Sequence, residues 1–60
     1  MERLLTITEA AEELRTSVET LRYWRGRGEG PLGFRLGRRI VYRESDLTNW
    51  VDSQREAASA

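Results

Sequence analysis

The stretch Thr16-Ser17-Val18-Glu19-Thr20-Leu21-Arg22-Tyr23-Trp24-Arg25-Gly26-Arg27 decides how the chain folds, because it reads as a short helix built to present polar groups. Ser17 is a good N-cap, its hydroxyl accepting from the free amides of the first turn. At about 100° per residue, Leu21 and Trp24 fall on one face and Glu19, Arg22, Tyr23 and Gly26 on the other, with Val18 and Arg25 flanking. The first face is core and the second is a display. Ser17, Val18, Glu19, Thr20, Arg22, Tyr23, Arg25 and Arg27 are therefore candidate contact residues. Arginines, a phenol, an acid and a small apolar group suit phosphates and base edges better than they suit bond breaking.

Upstream, Leu4-Leu5-Thr6-Ile7 reads as a short strand or extended lead-in, after which Thr8 is expected to cap a helix reaching Arg15. Ala10, Ala11 and Leu14 share one face of that helix, and Glu9, Glu12 and Glu13 the other. Only Arg15 and Thr16 separate it from the Ser17 cap, the spacing of a helix-turn-helix rather than of an antiparallel bundle.

Downstream, Gly26-Arg27-Gly28-Glu29-Gly30-Pro31-Leu32-Gly33 breaks the helix and begins a loop. Phe34-Arg35-Leu36 and Ile40-Val41-Tyr42 then read as two strands joined through Gly37-Arg38-Arg39. A three-residue tip would pair Leu36 with Ile40 and Phe34 with Tyr42, gather those four side chains on one face, and turn Arg35 and Val41 outward. Arg38 and Arg39 gain nothing from packing at such a tip and join Arg35 as candidates for a phosphate or a minor groove. A last helix is expected from about Ser45 to Arg55, with Asp46 favourably near its start and Leu47, Trp50, Val51 and Gln54 in one stripe. The expected core is Leu14, Leu21, Trp24, Tyr42, Leu47 and Trp50. The chain thus reads as one domain over 1–55 with an unordered tail over 56–60.

With 60 residues and no cysteine or histidine, disulfides, thiol nucleophiles, the usual zinc ligands and histidine acid–base chemistry are all excluded. No metal and no cofactor is expected. Apolar runs fall short of the ~18 residues of a membrane span, and no signal-peptide pattern opens the chain. A cytoplasmic protein with neither membrane nor small-molecule partner is the expectation. The formal net charge is zero, but it is unevenly spread. Residues 1–21 and 44–60 each carry −3, whereas residues 22–43 carry +6 through Arg22, Arg25, Arg27, Arg35, Arg38, Arg39 and Arg43 against Glu29. All ten basic residues are arginine, the side chain suited to bidentate recognition of phosphate or guanine. The middle third reads as a binding surface.

Leu5-Thr6-Ile7-Thr8-Glu9-Ala10-Ala11 with Thr20-Leu21-Arg22-Tyr23-Trp24, and the run Leu36-Gly37-Arg38-Arg39-Ile40-Val41-Tyr42-Arg43-Glu44-Ser45-Asp46-Leu47-Thr48-Asn49-Trp50, resemble the excisionase-type proteins of the MerR-like winged-helix class. The resemblance covers residues 4 to 51. Arg15-Thr16 stands where that family often has Gly-Val, and Val41 where a polar residue is common. What the resemblance implies is an α+β, mostly α fold: a small winged helix-turn-helix of three short helices, with a two-stranded β-hairpin wing between the second and third. It further implies a sequence-specific DNA-binding protein of a bacterial host cell, often phage-borne. Its recognition helix would enter a major groove and its wing would touch the adjacent minor groove or backbone. Such recombination directionality factors bind double-stranded DNA at an attachment site, with other copies of themselves on adjacent sites. They bend it and steer a partner integrase, a tyrosine or serine recombinase, toward excision without catalysis of their own.

Three other readings compete. A small transcriptional regulator of the same fold needs the same groove contacts. An adaptor or antitoxin would use Leu4, Leu5 and Val41 as an apolar patch, against which the arginine clustering argues. An enzyme fits least, because adjacent acids such as Glu12 and Glu13 diverge on a helix instead of converging on a substrate.

Overall fold

The computed structural model describes residues 2–59 and opens on a strand, β1 (Leu4–Thr6), that runs directly into α1 (Ile7–Leu14). The residue that caps α1 is Thr6, two positions earlier than the sequence reading places it. Thr6-Ile7-Thr8-Glu9 is a capping box: the Glu9 amide donates to Thr6 Oγ1 at 3.1 Å and the Thr6 amide donates to Glu9 Oε1 at 2.9 Å. Two amides that the first turn leaves free are satisfied at once. The bond from the Thr6 amide holds the Glu9 carboxyl below its ordinary value. Thr6 was obscured because it is also the last residue of β1.

The α1 helix ends where Arg15 enters the left-handed region at φ 55, ψ 44. After Thr16, Ser17 caps α2 (Val18–Gly26) as expected, accepting from the Thr20 amide at 3.0 Å. The strands β2 (Gly33–Leu36) and β3 (Arg39–Arg43) form the wing, and α3 (Glu44–Ser59) follows β3 without a loop. The fold is the expected winged helix-turn-helix, α+β and mostly helical. Of the two readings of the lead-in, the strand is the one adopted: β1 pairs antiparallel with β3, giving a three-stranded sheet of order β1-β3-β2.

The wing's register departs from expectation by one residue. Leu36 pairs with Arg39, Arg35 with Ile40, Phe34 with Val41 and Gly33 with Tyr42, around the two-residue loop Gly37-Arg38. Gly37 takes φ +65 at the first loop position, where a type II′ turn requires a positive φ. Arg39 therefore belongs to β3 and not to the tip. A slip of one residue exchanges the faces of a strand. Phe34 and Leu36 now share the outer face with Val41 and remain 39% and 54% exposed, while Arg35 stands on the side of Ile40 and Tyr42. The cause is Tyr42: its ring lies over Gly33, where an added Cβ would be 2.6 Å from Cε2, so only glycine fits opposite it.

Leu5, Ala10, Ala11, Leu21, Tyr42 and Leu47 form the core, with Ile7, Leu14, Val18, Trp24 and Ile40 packed at its margin. The two alanines allow α1 to lie close against its neighbours. Each fully buried leucine contributes about 1.5–3 kcal/mol. Trp50 is half-buried and packs against Trp24, with ring centroids 5.2 Å apart at 45°. The start of α3 is capped from outside the helix: Glu2 Oε1 accepts from the Ser45 amide at 3.0 Å while Oε2 accepts from Arg43. Those bonds, that of the Ser45 amide first, hold the Glu2 carboxyl down at about 2. At its far end α3 continues through Glu56, Ala57, Ala58 and Ser59, where the sequence reading expects an unordered tail. Alanine carries strong helix propensity, and the Ser59 hydroxyl donates to the Arg55 carbonyl at 2.9 Å. Met1 and Ala60, at the outer ends of the expected domain and tail, lie outside the described residues.

Candidate nucleic-acid interface

The displayed side of α2 divides into two sectors. Arg22 and Arg25, three apart and therefore neighbours on the helix surface, turn with Gly26 toward the wing. There they line a cleft of about 530 Å³ with Thr6, Ile7 and Thr8 from the start of α1 and Arg38, Arg39 and Ile40 from the wing. Tyr23 lies outside this cleft and is 60% exposed. The Arg27 guanidinium stacks 5.4 Å from the Tyr23 ring centroid, and Arg27 Nε donates to Glu29 Oε1 at 3.2 Å.

Among the described residues, Arg3 pairs with Glu13 and Glu44, Arg27 with Glu29, and Arg43 with Glu2. Among the described residues none of the four arginines of the cleft pairs with a carboxylate, nor do Arg15, Arg35 and Arg55, and no described carboxylate lines the cleft. Four guanidiniums around one open cleft repel one another, and an anion relieves that repulsion. A row of phosphates offers several acceptors at once, each able to take two parallel N–H donors from an arginine. The cleft lies between a helix of the right diameter for a major groove and a hairpin, so a backbone strand bordering that groove can run through it.

A family model described as "Helix-turn-helix domain" matches residues 4–55. The chain belongs to the helix-turn-helix domain family. Comparison with curated proteins gave no match, and comparison with solved structures gave none. The family match spans every element that builds the cleft, from β1 through α3, and it supports binding to double-stranded DNA. In a helix-turn-helix protein α1 and α2 are the paired helices, and here the second of the pair presents the arginines.

Several residues singled out in the sequence have other occupations within this helix-turn-helix fold. Val18 is half-buried against the core, so it seats α2. The Ser17 hydroxyl accepts the capping bond from the Thr20 amide and lies 2.8 Å from the Thr20 hydroxyl. Glu19 is exposed, and Arg35, also exposed, does not line the cleft although its cross-strand partner Ile40 does. The apolar patch of the adaptor reading is not available, because Leu5 is 1% and Val41 7% exposed. Sequence reasoning overlooked Thr6 and Thr8, whose place at the cleft follows from the capping box. No helix among the described residues is long and apolar enough to cross a membrane.

Proposed function

We propose that this helix-turn-helix protein is an excisionase, one that binds and bends attachment-site DNA and directs a partner integrase, of the tyrosine or serine recombinase class, toward excision. The observation that carries the reading is the carboxylate-free cleft of four arginines shared by α2 and the wing. Contact through a helix and a hairpin at once grips a duplex at two places, which is what bending requires. Arg22 and Arg25 serve α2 in the major groove, with Tyr23, Glu19 and Thr20 beside them. Arg38 and Arg39 hold the adjoining backbone or minor groove, Arg35 and Arg27 add flanking charge, and Ser17 and Val18 fix the helix that carries them.

One module of this size covers only about 600–1,000 Å² on DNA, so copies on adjacent sites supply the remaining specificity. The chain contributes no bond-breaking group in this reading, and strand cleavage belongs to the integrase. It acts in the bacterial cytoplasm, on DNA. The test combines footprinting on DNA flanking the encoding locus, a circular-permutation assay of bending, and an excision assay with the integrase encoded nearby. A footprint with bending and stimulated excision is expected. A footprint without bending and without effect on excision would assign the chain to transcriptional regulation instead.

A further inference from the structure

A second concavity lies between the C-terminal end of α1 and the first half of α3, and it shares no lining residue with the arginine cleft. Its volume is about 210 Å³; Leu5, Leu14 and Leu47 form the floor, Val51 the lip, and Glu13, Glu44, Thr48 and Asp52 the rim. Val51 is 44% exposed, an apolar side chain left open in a groove that is otherwise half built. Beyond Trp50 every described residue of α3 is exposed, so that half of the helix buries little against the rest of the chain. A helical segment of that length is marginal in water by itself. Two of the three rim carboxylates meet one guanidinium, that of Arg3, whose Nη1 lies 3.4 Å from Glu13 Oε1 and 3.5 Å from Glu44 Oε2, while Asp52 makes no ion pair among the described residues.

We propose that this groove docks a basic segment of a partner protein, one apolar side chain seated on Leu14, Leu47 and Val51 with arginine or lysine beside it on the acidic rim. Charge complementarity selects the occupant. The rim repels the phosphates of DNA and of anionic lipid, and the apolar floor gives a free inorganic cation nothing to bury. Arg3 already makes the kind of contact required, one guanidinium reaching carboxylates of both α1 and α3. Its two contacts are long and its side chain is 53% exposed, so an arriving arginine can displace it. A chain built this way joins DNA on one surface and protein on another. The inference goes beyond the DNA reading and stands or falls without it.

The experiment is an NMR titration of the ¹⁵N-labelled full chain, without DNA, with a capped peptide carrying one leucine flanked by arginines. Amide shifts confined to the neighbourhood of Glu13, Leu14, Leu47, Val51 and Asp52 are expected, together with weakening as salt rises. Asp52→Lys should weaken the peptide about tenfold by reversing the rim charge, and Val51→Ser should weaken it while leaving charge untouched. Both positions are exposed, so both variants should keep the parent circular dichroism spectrum. No shifts at millimolar peptide would overturn the proposal, as would equal shifts from a peptide with glutamate in place of arginine. So would groove shifts that track protein concentration with no peptide present, since the occupant would then be another copy of the chain.

Discussion

Replacing Arg15 by glycine is expected to stabilise the fold even though it deletes a side chain and a charge. Arg15 closes α1 at φ 55 while its amide donates to Glu12 O at 3.1 Å and the Thr16 amide donates to Ala11 O at 2.9 Å. The α2 helix closes with the same pair of bonds, Gly28 to Arg25 O at 3.2 Å and Glu29 to Trp24 O at 2.8 Å, but there the left-handed residue is a glycine at φ 72. This is the helix-ending motif that favours glycine. A side chain in the left-handed region costs about 1–2 kcal/mol, and the extra freedom of glycine in the unfolded chain returns about 0.5–1 kcal/mol of that. The difference leaves Arg15→Gly more stable by about 0.5–1 kcal/mol. For a domain of this size that raises Tm by roughly 2–8 °C, measurable by thermal melting followed at far-ultraviolet wavelengths. The reciprocal change, Gly28→Ala, should lower Tm, and because nothing lies within 4 Å of the added Cβ the loss is conformational. If Arg15→Gly melts at or below the parent temperature, the left-handed strain assigned to Arg15 is absent and the reasoning fails.

Two further expectations concern stability. Gly33→Ala should cost about 1–3 kcal/mol, because its Cβ would sit 2.6 Å from a Tyr42 ring that is 1% exposed and has nowhere to go; a parental Tm would return the wing to the other register. Glu2 carries a folded pKa of about 2 against an ordinary value of 4.5. Its bonds to Ser45 and Arg43 therefore stabilise the protein above about pH 4.5 and are lost as pH falls toward 2. Glu2→Gln should lower Tm at neutral pH, with the gap to the parent closing across that interval, and a gap independent of pH would mean that the carboxylate does not hold the start of α3.

The helices were legible in the sequence because each carries a local cause: Ser17 at a cap, the alanines and Leu14 on one face, Leu21 and Trp24 on another. The wing's existence was legible in the same way, but its register was not, because period-two alternation in β3 is compatible with either a two- or a three-residue loop. The choice falls to the contact between Tyr42 and Gly33, made across strands and against the core, which no local pattern announces. The Glu2 cap joins residues 43 apart and was invisible for the same reason. At the candidate interface, the sequence located the charge and the structure sorted it. Arg22, Arg25, Arg38 and Arg39 converge, while Arg27 is drawn to Glu29 two residues away and Arg35 follows the strand. Sorting of that kind depends on which carboxylates lie within reach in space.

The central claim, that four arginines of α2 and the wing form one phosphate-binding cleft, is tested most directly by the salt dependence of binding to duplex DNA. Each phosphate contact contributes about 0.9 to the slope of log K against log salt concentration. Substituting Arg22, Arg25, Arg38 and Arg39 together by alanine should reduce that slope by ~3–4, and the helix pair and the wing pair should each account for about half. Arg55→Ala, on the exposed end of α3, should leave the slope unchanged. A quadruple variant that keeps the parent slope, or an Arg55→Ala variant that loses as much as either pair, would contradict the account.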